Sequence, residues 1–349
     1  MNAPFWNQRR VLVTGASGFI GGWLASALIE AGADVVGIVR DAPRRSTLNL
    51  LGLAANMHIV RGSLTDYALV ERAINEYEID TVFHLAAQAI VGPANRSPRS
   101  TFESNIQGTW NLLEACRGNP LVQRIVVASS DKAYGDQPHL PYTEESPLNG
   151  LYPYDASKVC ADVLARSYAA TYGLPVAVTR CANVYGGADL NWSRLIPGTV
   201  RSILLGERPI IRSDGTPERD YIFITDAVRA YLTLGERAAD PDVRGQAFNF
   251  GSGHPVSALT VVQELLQIAG RTDLPPDIRG QGSPHGEIDR QYLDSSRALR
   301  VLGWRPQVDL RSGLEIAFHW YRQHAPTLGI PQASSRDAHL AQEEMACRP

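Results

Sequence analysis

Two short stretches carry side chains that could move protons at an oxygen-bearing carbon. SSDKAYG, residues 129–135, sets two hydroxyls, a carboxylate and an amine directly after the apolar run IVVA. YPYDASK, residues 152–158, holds Tyr154 and Lys158 in a Y-x-x-x-K spacing, which a helix turns to one face. A phenol titrates at about pH 10 in water, so a tyrosine working as a base near neutrality needs positive charge beside its phenolate. Lys158 can supply that charge. A third stretch, TGASGFIGGWL, follows an apolar run and places Gly15, Gly18 and Gly21 in G-x-x-G-x-x-G. Glycines at a strand-to-helix turn let the backbone approach a pyrophosphate, which the exposed N–H groups of the helix N-terminus favour. The next apolar run ends in VVGIVRDAPRR. Asp41 there suits the ribose hydroxyls of NAD, while Arg40, Arg44 and Arg45 keep the 2'-phosphate of NADP open.

Elements that alternate along the first 180 residues must position these groups. Short apolar runs at 11–15, 35–39, 57–60, 81–86, 125–129 and 176–180 alternate with amphipathic stretches at 19–31, 66–76, 98–117 and 155–172. Such alternation predicts an α/β fold, a Rossmann-type doubly wound parallel sheet with helices on both faces. The glycine loop, SSDKAYG and the Y-x-x-x-K helix then meet at the carboxyl edge of one sheet. Ser97-Pro98 reads as an N-cap with proline at the first helical position. After about Asn183, loops rich in Gly and Pro separate short helices at 194–206, 225–236, 257–268 and 311–322. The expected division is a dinucleotide-binding domain over 1–182 with parts of 220–255, a smaller α/β substrate region over 183–325, and a loose tail over 326–349.

Composition narrows the partners. With a formal net charge of −3 and mixed signs throughout, no basic stripe points to nucleic acid, and small molecules are the expected ligands. Cys116, Cys160, Cys181 and Cys347 form no C-x-x-C pair, so they read as free thiols of a cytoplasmic protein. The eight histidines lack metal-ligand spacing, and no metal is assigned. The N-terminal MNAPFWNQRRVLVTG lacks an apolar leader core, and no run reaches membrane-spanning length, so neither export nor membrane insertion is expected.

From about Phe5 to Gln323 the sequence resembles the extended short-chain dehydrogenase/reductases, the class of nucleotide-sugar epimerases and dehydratases. The resemblance rests on TGASGFIG, HLAAQ, N-x-x-G-T at Asn105–Thr109, SSDKAYG, YDASK, RCANVYGG, RDYIFITDA and NFGSG. It implies Tyr154 as base, Lys158 as its partner, Ser130 or Ser129 bonding the sugar hydroxyl, and Asn105 and Asn183 near the site. Cofactor-binding candidates are Gly15, Gly18, Phe19, Ile20, Gly21, Arg40, Asp41, Leu64, Leu85, Ala86 and Ala87, together with Tyr154 and Lys158. Substrate candidates are Gln88, Ser130, Asn183, the base-packing wall of Leu195 and Pro197, and the diphosphate arginine Arg219. A second diphosphate arginine is expected where this chain reads Pro284 or His285. The family also implies a homodimer through the helices near 98–117 and 154–172.

Asp131-Lys132 follows the catalytic serine, where simple 4-epimerases carry small or neutral residues and 4,6-dehydratases carry acids. This Ser-Asp-Lys form, the FW before RVLVTG and the run GGADLNWSRLIP resemble the CDP-glucose 4,6-dehydratases. That resemblance implies loss of water across C5 and C6 of a hexose after transient oxidation at C4, with Asp131 as the acid. Lys132 is either the C5 base or an electrostatic partner of Asp131. A 4-epimerase, a GDP-mannose 4,6-dehydratase and a non-catalytic dinucleotide sensor are the competing readings.

Overall fold

The computed structural model describes residues 3–41, 45–281 and 288–331. Seven strands form the large sheet: β1 (Arg10–Thr14), β2 (Asp34–Val39), β3 (His58–Arg61), β4 (Thr81–His84), β5 (Arg124–Ala128), β6 (Val176–Cys181) and β7 (Ala247–Phe250). Their order is β7-β6-β5-β4-β1-β2-β3 and every neighbouring pair is parallel. The central strands are rich in Val and Ile because helices exclude water from both sheet faces. Chain order reverses between β1 and β4, which opens a crevice at their carboxyl ends.

Helices of ten residues or more are α1 (Phe19–Glu30), α2 (Tyr67–Glu76), α3 (Gly108–Arg117), α4 (Pro153–Tyr172), α5 (Leu195–Leu204), α6 (Ile224–Arg237), α7 (Ala258–Ile268) and α8 (Leu310–Leu328). On one sheet face Val70 and Ile74 of α2, Leu112 and Leu113 of α3 and Ala165 of α4 pack with Leu12, Val82, Ile125 and Val178. On the other, α1 packs with α6, and fully buried Trp6 meets Phe83 at a ring distance of 5.7 Å.

The parallel sheet and its covering helices agree with the sequence reading, and the departures have local causes. The helix predicted over 98–117 is interrupted by a π-turn at Glu103–Gln107. There the Thr109 hydroxyl donates to the Asn105 carbonyl at 2.6 Å, and the buried Asn105 side chain is drawn to the Gln88 backbone. Turns of this kind recur at functional sites. The strand predicted over 81–86 stops at His84: the Leu85 N–H is shared between the Thr14 carbonyl at 3.3 Å and the Thr14 hydroxyl at 3.1 Å, and the Ala86 N–H donates to the hydroxyl at 3.2 Å. Ser97 stands at the N-cap position without a side-chain cap bond. β7, only AFNF, is too short for its period to show in the sequence.

The chain divides into two compact units. The first comprises 1–184, 220–255 and 291–307; the last of these segments had been grouped with the substrate region on sequence grounds. In the second unit, α5, α7 and α8 pack together, beside a parallel pair of Ile210–Ile211 with Asp277–Ile278. Rather than entering a loose tail at 326, α8 continues through Pro326 to Leu328, and residues 332–349 of that expected tail lie outside the described residues. No helix among the described residues is long and apolar enough to cross a membrane.

Arg180 of β6 grips Asp162 of α4 through two hydrogen bonds of 2.8 and 2.9 Å, with both side chains excluded from water. Removing one partner strands the other's charge in the interior, which costs about 3–5 kcal/mol. Asp162→Leu is therefore expected to lower the urea midpoint sharply, and the paired Arg180→Met/Asp162→Leu variant to lower it less. Equal losses in the two variants would contradict the ion-pair account.

Candidate active site

β1 runs into α1 through the glycine loop. Gly15 has φ +75°, and a Cβ there would lie 2.9 Å from the Ala86 nitrogen; a Cβ on Gly21 would lie 2.2 Å from the Gly15 carbonyl oxygen. Side chains at either position would fill this cradle. Gly18 is the N-cap of α1 and supplies no side-chain cap bond, so the first N–H groups, those of Phe19 and Ile20 among them, keep their capacity for an anion. Asp41 follows β2 and forms an ion pair with Arg40 at 2.8 Å, and Arg40 also reaches Ser104 at 3.4 Å. Arg45 is exposed, and Arg44 lies outside the described residues. The half-buried Leu85, Ala86, Ala87 and Gln88 continue from β4 beside the loop. Leu64 is packed in the core, and its carbonyl accepts from Asn111 at 2.9 Å. This donor set fits a dinucleotide: a side-chain-free cradle for the pyrophosphate and a carboxylate at the end of the second strand.

The groups expected to move protons come from the turn that follows β5 and from α4. Ser130 opens a short 3-10 turn over Asp131–Tyr134. Its hydroxyl donates to Asp131 Oδ1 at 3.0 Å and accepts from the Lys132 N–H at 3.2 Å. Ser129 donates to the Lys158 carbonyl at 3.2 Å. Tyr154, the half-buried second residue of α4, has its ring centroid 5.9 Å from Lys158 Nζ. That ammonium donates to the Ala128 carbonyl at the end of β5, 2.7 Å away. Desolvation pushes Lys158 down to about 8. The amine therefore titrates near the range in which a tyrosine base is used, and its charge is fixed in place by the sheet.

Asp131 is buried at 2% exposure. Lys132 is turned inward as well, donating through Nζ to Oε1 of the fully buried Gln291 at 2.9 Å. Asp155, a residue the sequence reading passed over, joins this group. Burial pushes its carboxyl up to about 6, the Lys132 charge opposing and the Asp131 charge reinforcing the shift. The signal for Asp155 was present in YDASK, where an acid stands in the first turn of a helix that opens at the reactive edge. Gln291 had no comparable signal.

Asn183 begins a short strand and donates to the Asp220 carbonyl at 3.3 Å. Leu195 and buried Pro197 open α5, while Arg219 donates to the Glu218 carbonyl at 2.9 Å. These last three belong to the second unit. Pro284 and His285 lie outside the described residues. Among the described residues no group of His, Cys, Asp and Glu is arranged to hold a metal ion.

Comparison with known proteins gives the arrangement a context. Residues 11–251 match the model of the NAD dependent epimerase/dehydratase family. CDP-glucose 4,6-dehydratase of Salmonella typhimurium is 31% identical over 91% of this chain and 92% of its own length. UDP-glucose 4-epimerase of Mycolicibacterium smegmatis is 32% identical over 90% and 98%. Among solved structures, dTDP-glucose 4,6-dehydratase of Streptomyces venezuelae, crystallised with NAD, superposes with a TM-score of 0.82 at 29% identity, covering 91% of this chain and 98% of that one.

Buried Lys158 gives a stability test. Its folded pKa of about 8 lies below its ordinary 10.5, so between these values the unfolded chain binds more protons and stability rises with pH. Below about 8 the folded protein carries a buried charge. Lys158→Met is thus expected to be more stable than the parent at pH 7, with the gap closing as pH rises toward 10.5. A gap in urea unfolding that does not change with pH would contradict the desolvated amine.

Proposed function

Because the chain belongs to the NAD dependent epimerase/dehydratase family, we propose that it is a nucleotide-sugar 4,6-dehydratase, with CDP-glucose as the first substrate to test. The observation that carries this reading is the buried Asp131, joined in one turn to an inward Lys132, where proton transfer to a leaving hydroxyl would be needed. The CDP-glucose dehydratase relative supports the choice of nucleotide. NAD suits the cradle at Gly15, Gly18 and Gly21 with Asp41 toward the ribose, and when bound it supplies a hydride acceptor at C4 that later returns the hydride at C6.

The chain's own residues account for the protons. Ser130 holds the C4 hydroxyl, and Tyr154 takes its proton under the positive field of Lys158. With C4 as a ketone the C5–H is acidic, and the Lys132 amine, oriented by Gln291, takes that proton and gives it back to C5 once C6 has been reduced. Asp131 protonates the departing C6 hydroxyl, which leaves as water. Two buried carboxyls in one group favour a shared proton, and the raised Asp155 supports a proton being held there. Asn183, Gln88, Leu195, Pro197 and Arg219 are assigned to the nucleotide sugar. Exposed Phe102, Trp110 and Val163 on the helices of 98–117 and on α4 support a homodimer through that face.

Incubation with NAD and a panel of CDP-, dTDP-, UDP- and GDP-hexoses, followed by mass spectrometry, tests the reading. Loss of one water from one substrate is expected; an isomerised sugar of unchanged mass would establish the epimerase reading instead. Tyr154→Phe should abolish turnover while NAD still binds. Asp131→Asn should keep deuterium exchange at C5 while slowing water loss about 100-fold or more, and Lys132→Met should lose the exchange itself. Normal dehydration by Asp131→Asn would place the acid elsewhere.

A further inference from the structure

One buried ionisable group has no part in that chemistry. His84, at the carboxyl end of β4, is 3% exposed and bonded through both ring nitrogens. Nδ1 lies 2.8 Å from Thr14 Oγ1 and Nε2 lies 2.9 Å from Thr109 Oγ1. The surrounding bonds decide where each proton sits. Thr14 Oγ1 accepts from the Ala86 N–H at 3.2 Å and from the Leu85 N–H at 3.1 Å, the latter shared with the Thr14 carbonyl at 3.3 Å, which occupies its lone pairs and leaves its own proton for Nδ1. Thr109 donates its proton to the Asn105 carbonyl, so it accepts from the ring, and Nε2 carries the hydrogen. Burial, with the nearby Lys158 charge, pushes the imidazole down to about 3, so the ring is neutral across the working range.

The series runs on to the reactive helix. Asn105 accepts from the Gln88 N–H at 2.7 Å through Oδ1 and donates through Nδ2 to Ser157 at 2.9 Å. Ser157 in turn donates to the Tyr154 carbonyl at 2.6 Å. At the other end, Ala86 is the residue against which Gly15 packs. Asn105 Nδ2 also donates to the Gln88 carbonyl at 3.3 Å, so every polar group of the series has a partner, and a fully satisfied buried network is rigid.

We propose that His84, as the Nε2–H tautomer, is a positioning residue that ties the floor of the cofactor cradle to the first turn of α4. It thereby holds the cofactor and the Tyr154 phenol at a fixed separation. The inference rests on Tyr154 and the glycine loop serving the reaction proposed above.

Two measurements test it. In the full-length protein labelled with 15N-histidine, the His84 ring, identified by its absence from His84→Asn, is expected to show the Nε2–H pattern unchanged between pH 6 and 9, about the span of neutral working conditions. An Nδ1–H pattern or titration in that range would overturn the assignment, whatever the enzyme acts on. In the second, His84→Asn keeps an acceptor near Thr14 without reaching Thr109, and Thr109→Val removes the far partner. Each is expected to lower kcat about tenfold, the cost of one broken buried hydrogen bond, with NAD affinity within about twofold of the parent. The double variant should be no slower than the slower single, as expected for residues in one chain, and Thr109→Ser should restore the parent rate. Parent kcat in folded His84→Asn and Thr109→Val, with only the melting temperature lowered, would overturn the positioning role. A parent that turns over no nucleotide sugar would count against the reaction instead, leaving the tautomer measurement to judge His84.

Discussion

Arg180 is the hub on which the reactive geometry depends. From the interior of β6 it holds Asp162 of α4, the Tyr134 hydroxyl at 2.9 Å and the Glu144 carbonyl at 3.2 Å. Asp162 lies one turn beyond Lys158 on α4, and Tyr134 closes the turn that carries Asp131 and Lys132. One guanidinium thus fixes the two segments that carry Tyr154, Lys158, Asp131 and Lys132 against a third element. Planar, multidentate bonding suits arginine to the task, and burial makes every one of these bonds costly to lose.

Around that hub the strand ends supply polar anchors, and α4 carries the charged amine. The Ala128 carbonyl at the end of β5 orients the Lys158 ammonium, and the Thr14 hydroxyl at the end of β1 orients His84. Both polar contacts sit where strands end, and the Ala128 carbonyl can accept from Lys158 there because within a strand the backbone groups are already committed to their neighbours. The crevice at the sheet's carboxyl edge is therefore both the place where free polar groups accumulate and the place where a dinucleotide can be held.

Much of this was legible in the sequence where the information is local. The Val and Ile runs of β1, β2 and β5 mark strands buried on both faces, and the glycine loop and the Tyr154–Lys158 pair declare themselves within a few residues of chain. What escaped depends on partners far apart. Lys132 meets Gln291 across 159 residues of sequence, and the pairing turns inward a side chain that a strand-end loop would otherwise leave in water. The π-turn at Asn105 arises from the Thr109 hydroxyl and the Gln88 backbone, neither of which alters the apolar pattern that predicts a continuous helix. Helix α8 runs past its expected end at 322 to Leu328, through a last turn too short in apolar periodicity to declare itself in the sequence.

The central claim is that a hydrogen leaving C4 is returned at C6 of the same sugar after water has gone. Following CDP-glucose deuterated at C4 by NMR tests it most directly. The account predicts a 4-keto-6-deoxy product with the deuterium in its C6 methyl group. Deuterium at C4 of a sugar inverted there, with its oxygen kept at C6, would contradict it and leave the chain an epimerase.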